Sequence, residues 1–544
     1  MRHKWLSLLI CLCAIPILEL NLEASVSNST PLSFQTFGTI KVASPHARGY
    51  LFNNKSATFY PPVTIETVNS RDPNQFVIHS GEVKITSVNK SGNSTYIASF
   101  TGPITYRIVQ KHASMVRTIT GSAAKAKYEQ AEGLLAMSGN LEAKVQDKTA
   151  FSSPGIIHAT SLLIHIGSDR FVEIKGDSSS DFMQFHPVLS YSKSRNLKDA
   201  AVTIKHFTKA LFNKSEAVHI TGASESVDIE NGPLSMSGIT TTNSILADFS
   251  PQNFSLDMNS GIVTRLDWKP SLTTETSLNG HCSSLNYSEK AKLMHLSGNI
   301  HVLDTEMNDK KALVRKISIQ AEEMQIPTAG TSDLSVKGTA ATDHAELVVF
   351  SGAANLPVTD QLTERFNLAN FDQLFSDSNN EYKIVGANSS LSYSVDPVGT
   401  TAQVTSSLIT AKMPVDGSPT EIHASGGVQF HYYTPQTRAP KTGELIKTVL
   451  GVNGNTKSFD LLLASGKNPV TDSVLTLNGP SILAIKLTGQ KTSISYTDKI
   501  NDKVVLNLTK SIIDWFTNNH SASVSITPNP SSTGTPAKKV KAHS

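Results

Sequence analysis

The chain has 544 residues, enough for more than one core and, on length alone, for two to four domains. Its 48 basic residues stand against 45 acidic ones, a formal net charge of +3, which excludes the strong field that holds nucleic acid. Ser, Thr and Asn are abundant while aromatics make up 7%, a composition that suits an extended β protein with long polar faces better than a helical enzyme.

Arg2, His3 and Lys4 precede an apolar run from Trp5 to Leu18, which Pro16 breaks. Leu22-Glu23-Ala24 offers a cleavage site, so residues 1–24 read as a secretory signal and the mature chain is expected to begin near Ser25; the alternative is an uncleaved membrane anchor. Cys11 and Cys13 lie within that segment, leaving Cys282 alone in the mature chain and no intrachain disulfide. An exported protein of that kind depends on its own core and strand ladders. About ten Asn-x-Ser/Thr sequons, Asn93 and Asn286 among them, match what this composition produces by chance.

From residue 78 onward one small pattern recurs, in "IHSGEVKI" (78–85), "SFTGPITY" (99–106), "AMSGNLEA" (136–143) and "HLSGNIHV" (295–302). "VFSGAANL" (349–356), "HASGGVQF" (423–430) and "TLNGPSIL" (476–483) follow it more loosely. Apolar residues alternate with polar ones on both sides of each glycine, which predicts half-buried strands bent at a bulge or corner. Two stretches align without a gap, "GSAAKAKYEQAEGLLAMSGNLEA" (121–143) and "GHCSSLNYSEKAKLMHLSGNIHV" (280–302), placing Tyr128 on Tyr287. Residues 220–240 repeat the unit in shortened form, and "GANSSLSY" (386–393) again sets a Tyr seven after a Gly. Self-similarity of this kind predicts stacked or duplicated β units.

Helical signals are few. Residues 196–213 place Leu197, Ala201, Ile204, Phe207 and Leu211 on one side at helical spacing, with Asn196 as cap, and predict a short helix. Residues 362–377 predict another helical turn, whereas periodicity leaves strand and helix both open for 504–519. The chain is expected to divide into β units at 25–195, 196–360 and 361–524, with a disordered basic tail over 525–544 that carries Lys538, Lys539 and Lys541.

Ser190-Tyr-Ser-Lys193, Ser297-Gly-Asn299 and Lys441-Thr-Gly443 follow the order found in penicillin-recognising enzymes, in which Ser and Lys stand one helical turn apart. Here the predicted helix starts only after Lys193, and Ser297-Gly-Asn299 belongs to the repeat. Cys282 has no partner at zinc-ligand spacing, and His158 and His165, seven apart in an expected strand, should face opposite sides of it. The expectation is a chain without catalytic chemistry, metal or cofactor.

Residues 119–177 carry a resemblance. An Ala-rich strand (Ala123 to Tyr128), a polar turn (Glu129 to Glu132), a strand ending in Gly-Asn (Leu134 to Asn140) and a return strand (Ala159 to Gly167) resemble the OstA/LptA family of lipopolysaccharide-transport proteins. The likeness is good over about sixty residues, moderate over 277–304 and faint elsewhere. It implies an all-β fold, an open β-jellyroll of stacked antiparallel strands in repeated units. It further implies an interior that holds lipid acyl chains, edge-to-edge self-association, and partners among inner- and outer-membrane transport components in a Gram-negative-type periplasm. The family's bridge protein is usually one short domain, and this chain is longer.

Parity about each glycine places Leu135, Met137, Leu141 and Ala143 on one face, with Met294, Leu296, Ile300 and Val302 as their counterparts. Phe100, Ile104 and Tyr106, together with Val77, Val83 and Ile85, are expected to extend that face. Most of these are expected to be core; a subset, centred on Phe100, Ile104 and the eight residues just named, is the candidate lipid groove. The competing expectation is a structural or adhesive surface repeat whose interior is core alone.

Overall fold

The computed structural model describes most of residues 34–528; besides 1–33 and 529–544 it leaves out 45–55, 188–200, 249–253, 269–274, 352–361, 439–445, 464–472, 509–522 and shorter loops. The expected signal segment, Ser190 to Lys193, Lys441 to Gly443, Gly352 and the terminal lysines lie outside the described residues. Every regular element among the described residues is a β-strand, and all pairings are antiparallel.

The strands form two facing layers joined along one side. Three blocks of four long strands build the join: Asn93–His112, Met115–Glu129, Leu134–Gln146 and Phe151–His165; then Ser255–Trp268, Glu275–Ser288, Leu293–Met307 and Leu313–Pro327; then Glu381–Asp396, Thr400–Lys412, Thr420–Arg438 and Ile446–Leu463. Each long strand pairs with its neighbours along both halves but breaks register in the middle, where it passes from one layer to the other. Between blocks, short strands extend each layer separately. Phe151–His165 pairs with Phe182–Pro187 in the first layer and with Val172–Lys175 in the second. Pairing continues across both expected unit boundaries, Phe182–Pro187 with Ala201–Lys205 and His344–Ser351 with Leu362–Ala369. One apolar interior therefore runs from Ile40 to Leu508.

Glycine marks the corners. In four of the long strands three successive residues turn outward at the bend: Thr101-Gly102-Pro103, Ser138-Gly139-Asn140, Ser297-Gly298-Asn299 and Ser425-Gly426-Gly427. Their neighbours turn only two outward, as at Ala124-Lys125, Thr160-Ser161, Ser283-Ser284 and Lys457-Ser458. The extra residue is a bulge, which sharpens the bend. Three outward residues preserve parity and two reverse it. His158 and His165 straddle the reversal at Thr160 and both point outward, not to opposite sides. Val77 also points outward, because Phe76 and Ile78 take the inward positions before the chain changes layer at Gly81.

The gapless pair forms the same hairpin twice. Gly121 pairs with Ala143 and Tyr128 with Leu135; 159 residues later Gly280 pairs with Val302 and Tyr287 with Met294. Tyr128 packs on Phe76 at 5.4 Å between ring centroids and Tyr287 on Phe254 at 5.8 Å. The 386–393 echo has a different origin: Gly386 sits at a corner and Tyr393 beyond it in the first layer.

Three further expectations are corrected. Residues 201–205 and 209–212 are strands, not helix, with Val202, Ile204, Ala210 and Phe212 buried in alternation and His206 turning the chain at φ 58°. β-Branched residues such as Val202, Thr203 and Ile204 lose side-chain freedom in a helix and fit a pleated surface, so alternation prevails over the chance helical stripe. Leu362–Ala369 and Gln373–Ser376 are likewise strands on either side of Asn370, where φ is 56°. Val504–Asn507 is a strand, and Ser523–Pro528 pairs with Thr492–Ile500, so residues 525–528 of the expected tail are strand.

Candidate functional site: the interior and its seam

All ten groove candidates point into the interior, and each is at most 3% exposed. Phe100 and Met137 stand on either side of Ala126 in the second layer, and Leu162 follows Met137. Ile104, Leu141 and Ala143 lie in the first layer, where Ile104 pairs with Ala123 and Ala143 with Ile157. Leu135 completes this first cluster beside Tyr128. Met294 and Leu296 face Ile300 and Val302 in the same way within the second block. The ten thus form two clusters. Eight strand spacings separate Met137 from Leu296, about 38 Å at 4.8 Å per spacing.

Around the first cluster the interior is filled. The void bordered by Arg117, Leu141, Ile157 and Phe212 has a volume of about 10 Å³, room for at most one water. An acyl chain could enter there only where the layers part.

Opposite the corners the free edges of the two layers meet in a seam, which sequence reading did not find. Polar side chains bridge it at intervals. Thr39 Oγ1 lies 2.8 Å from the Tyr128 hydroxyl, and Asn74 Nδ2 donates to the His165 carbonyl at 3.1 Å. The Arg117 guanidinium crosses to sit 5.8 Å from the Phe212 ring centre, while its Nη2 lies 3.7 Å from Asp147 Oδ2. Arg315 Nη1 donates to the Tyr382 hydroxyl at 2.8 Å, and Thr420 Oγ1 donates to Glu364 Oε2 at 3.1 Å. Each inward position near a free edge would ordinarily be apolar; a polar residue there is tolerated because its partner reaches it from the other layer.

Burial sets the protonation states. It raises the Glu364 carboxyl above its ordinary range, against the opposing effect of the Thr420 hydrogen bond. Tyr393 is raised by burial first and then by the Glu364 charge, and burial pushes Tyr432 up to about 12. The Cys282 thiol is pushed up to about 11 by burial, which keeps it protonated and a poor nucleophile.

Ser and Thr hydroxyls satisfy carbonyls freed where the ladders break. Ser80 Oγ donates to the Thr101 carbonyl at 3.1 Å, and Thr456 Oγ1 to the Asn478 carbonyl at 3.2 Å. Ser481 in turn donates to Thr456 at 2.9 Å. The Ser-Gly motif therefore encodes corner geometry. No protein-family model matches the chain. No curated protein matches it either.

Proposed function

We propose that the chain holds the acyl chains of a lipid, lipopolysaccharide or another acylated lipid, between its two layers. In this reading it is a non-catalytic bridge that carries lipid toward the outer membrane of a Gram-negative-type periplasm, with inner- and outer-membrane transport components as partners. The OstA/LptA resemblance of residues 119–177 motivates the cargo. The observation that carries the reading is the single apolar interior that continues from Ile40 to Leu508 beneath one seam. Parting the layers to admit an acyl chain exchanges apolar contact for apolar contact, so the hydrophobic term nearly cancels. What remains is the loss of the seam contacts, about 1 kcal/mol for each hydrogen bond.

The filled interior near Arg117 favours a second reading, a structural or adhesive repeat with a permanent core. Met137→Asp and Leu141→Asp separate the two. If lipid enters, a photocrosslinker near Met137 captures lipopolysaccharide in the parent, and each Asp variant loses that capture. A parent that captures no lipid, with large melting losses in both variants, leaves the structural reading.

A further inference from the structure

The outer face of the second layer carries a trough of about 570 Å³ in the first block. Its floor is made of short, half-buried side chains, Ala136, Ser138 and Ser161, with Leu163 beside them. Lys125 and Lys127 form one rim, and Lys175 forms the other with Lys209 paired beyond it. Two carboxylates share these rims: Glu129 lies 2.5 Å from Lys127, and Glu173 lies 2.8 Å from Lys209 and 3.7 Å from Lys175. Four ammonium groups against two carboxylates leave the trough positive.

The same place in the other blocks carries larger side chains. The strand register sets Lys127, Ala136, Leu163 and Glu173 side by side in the first block. In the second block the row is Asn286, His295, Gln325 and Ser335. In the third it is Thr410, His423, Asp460 and Thr476. An imidazole thus stands wherever the first block has the Ala136 methyl, and His423 is hydrogen-bonded to Asp460 across the floor. Lys125 and Lys127 are replaced by Ser284 and Asn286 in the second block and by Leu408 and Thr410 in the third, whereas the counterpart of Lys175 in the second block is Lys337, paired there with Glu323. A scaffold that tolerates histidine at this position twice does not need alanine there for folding. The first block departs from the other two in two ways, a cleared floor and lysines on both rims, and the two coincide in space.

We propose that this trough binds a phosphorylated saccharide. Its volume lies in the range of small-ligand sites. Ammonium groups on both rims suit a phosphate dianion, floor hydroxyls suit sugar hydroxyls, and the short apolar strip of Ala136 and Leu163 suits the flat face of a pyranose. The site lies on the outer surface and is independent of the interior reading. The saccharide is either free or the headgroup of a glycolipid, and the chemistry recognised is the same.

The test uses the full chain and two variants that copy the second block, Ala136→His and the double variant Lys125→Ser/Lys127→Asn. Glucose 1-phosphate, glucose, inorganic phosphate, and phospholipid vesicles containing a phosphorylated glycolipid are titrated calorimetrically, with the melting temperature as a check on folding. Expected is binding of the sugar phosphate or of the glycolipid vesicles; the arm that binds identifies the source. Both variants should weaken it about tenfold or more with little change in melting, and the double variant should also lose salt dependence. Glucose and inorganic phosphate should each bind about tenfold more weakly than the sugar phosphate. Absence of binding to the parent, unchanged affinity in Ala136→His, or equal binding of inorganic phosphate overturns the proposal.

Discussion

At Gly139 the backbone φ is +80°, and a Cβ placed there would lie 2.9 Å from the Ala124 Cβ across the corner. Gly298 repeats both features, with φ +72° and a Cβ 2.7 Å from Ser283, and Gly426 repeats them against Ser407. Asn140 and Asn299 follow at φ 46° and 49°, a region Asn enters more readily than most residues. Gly139→Ala is therefore expected to lose about 1–3 kcal/mol from the left-handed backbone, with the contact on Ala124 added to that. Adding Ala124→Gly relieves the contact but not the backbone, so the double variant should recover only part of the loss in a denaturant midpoint. Full recovery would mean that crowding alone selects the glycine. Glu364 governs a different dependence. Its folded-state pKa is raised above the ordinary 4.5, so the folded chain holds the proton more tightly than the unfolded chain. The corresponding stability is fully present below pH 4.5 and is lost as pH rises through the folded value. Glu364→Gln stays neutral and still accepts from Thr420. Its melting temperature should match the parent near about pH 4 and exceed it increasingly toward about pH 8. A gap that narrows with rising pH would contradict the direction of the shift.

Among the strands, the seam contacts hold the free edges together, and Arg117, paired with Asp147, is the most deeply placed of their cations. Its side chain is 5% exposed and that of Asp147 0%. Arg117→Met keeps an unbranched side chain against Phe212 but leaves the Asp147 carboxylate buried without its cation, which costs about 3–5 kcal/mol. Arg117→Met combined with Asp147→Asn should restore most of that in a thermal melt, because both charges are then gone. Equal losses in the single and double variants would show that Arg117 acts by packing alone. These contacts could not be read from the sequence. Asn74 and His165 are 91 residues apart and Thr420 and Glu364 are 56, and no local pattern announces such partners. The corners, by contrast, were legible: parity on either side of Gly139 and Gly298 placed Leu135, Met137, Leu141 and their counterparts correctly. Parity misled at Val77 and His158, where bends without the extra residue reverse it. The helical reading of 196–213 failed because Ile204 satisfies the 3.6 and the 2.0 periods alike, and β-branched neighbours decided between them. Ala136 gave no signal by itself; its meaning comes from standing where His295 and His423 stand in the other blocks.

At the scale of the whole molecule, the proposed lipid path has two possible entrances: laterally through the seam, or lengthwise past the terminal strands Phe34–Phe37 and Ser523–Pro528. The seam is the shorter route to Met137, since the first layer's edge at Asn74 touches the second layer's edge at His165 within the same block. A staple there distinguishes the entrances. The 3.1 Å hydrogen bond from the Asn74 side chain to the His165 carbonyl brings the two strand ends together. Because the His165 side chain points outward, a flexible, reducible thiol-to-thiol crosslinker joins the two positions where a direct disulfide would not. Asn74→Cys/His165→Cys treated with that crosslinker therefore closes the seam, and reductant, by cleaving the linker, reopens it. Cys282, whose thiol is buried, is the only other cysteine among the described residues. With a photocrosslinker in place of Met137, capture of lipopolysaccharide should fall sharply in the crosslinked staple and return on reduction. Crosslinking from a probe at Leu296, eight strand spacings away, should fall much less. Capture at Met137 that is unaffected by the staple would assign entry to the ends of the layers. The terminal edges would then be both the docking surfaces and the doors of the bridge.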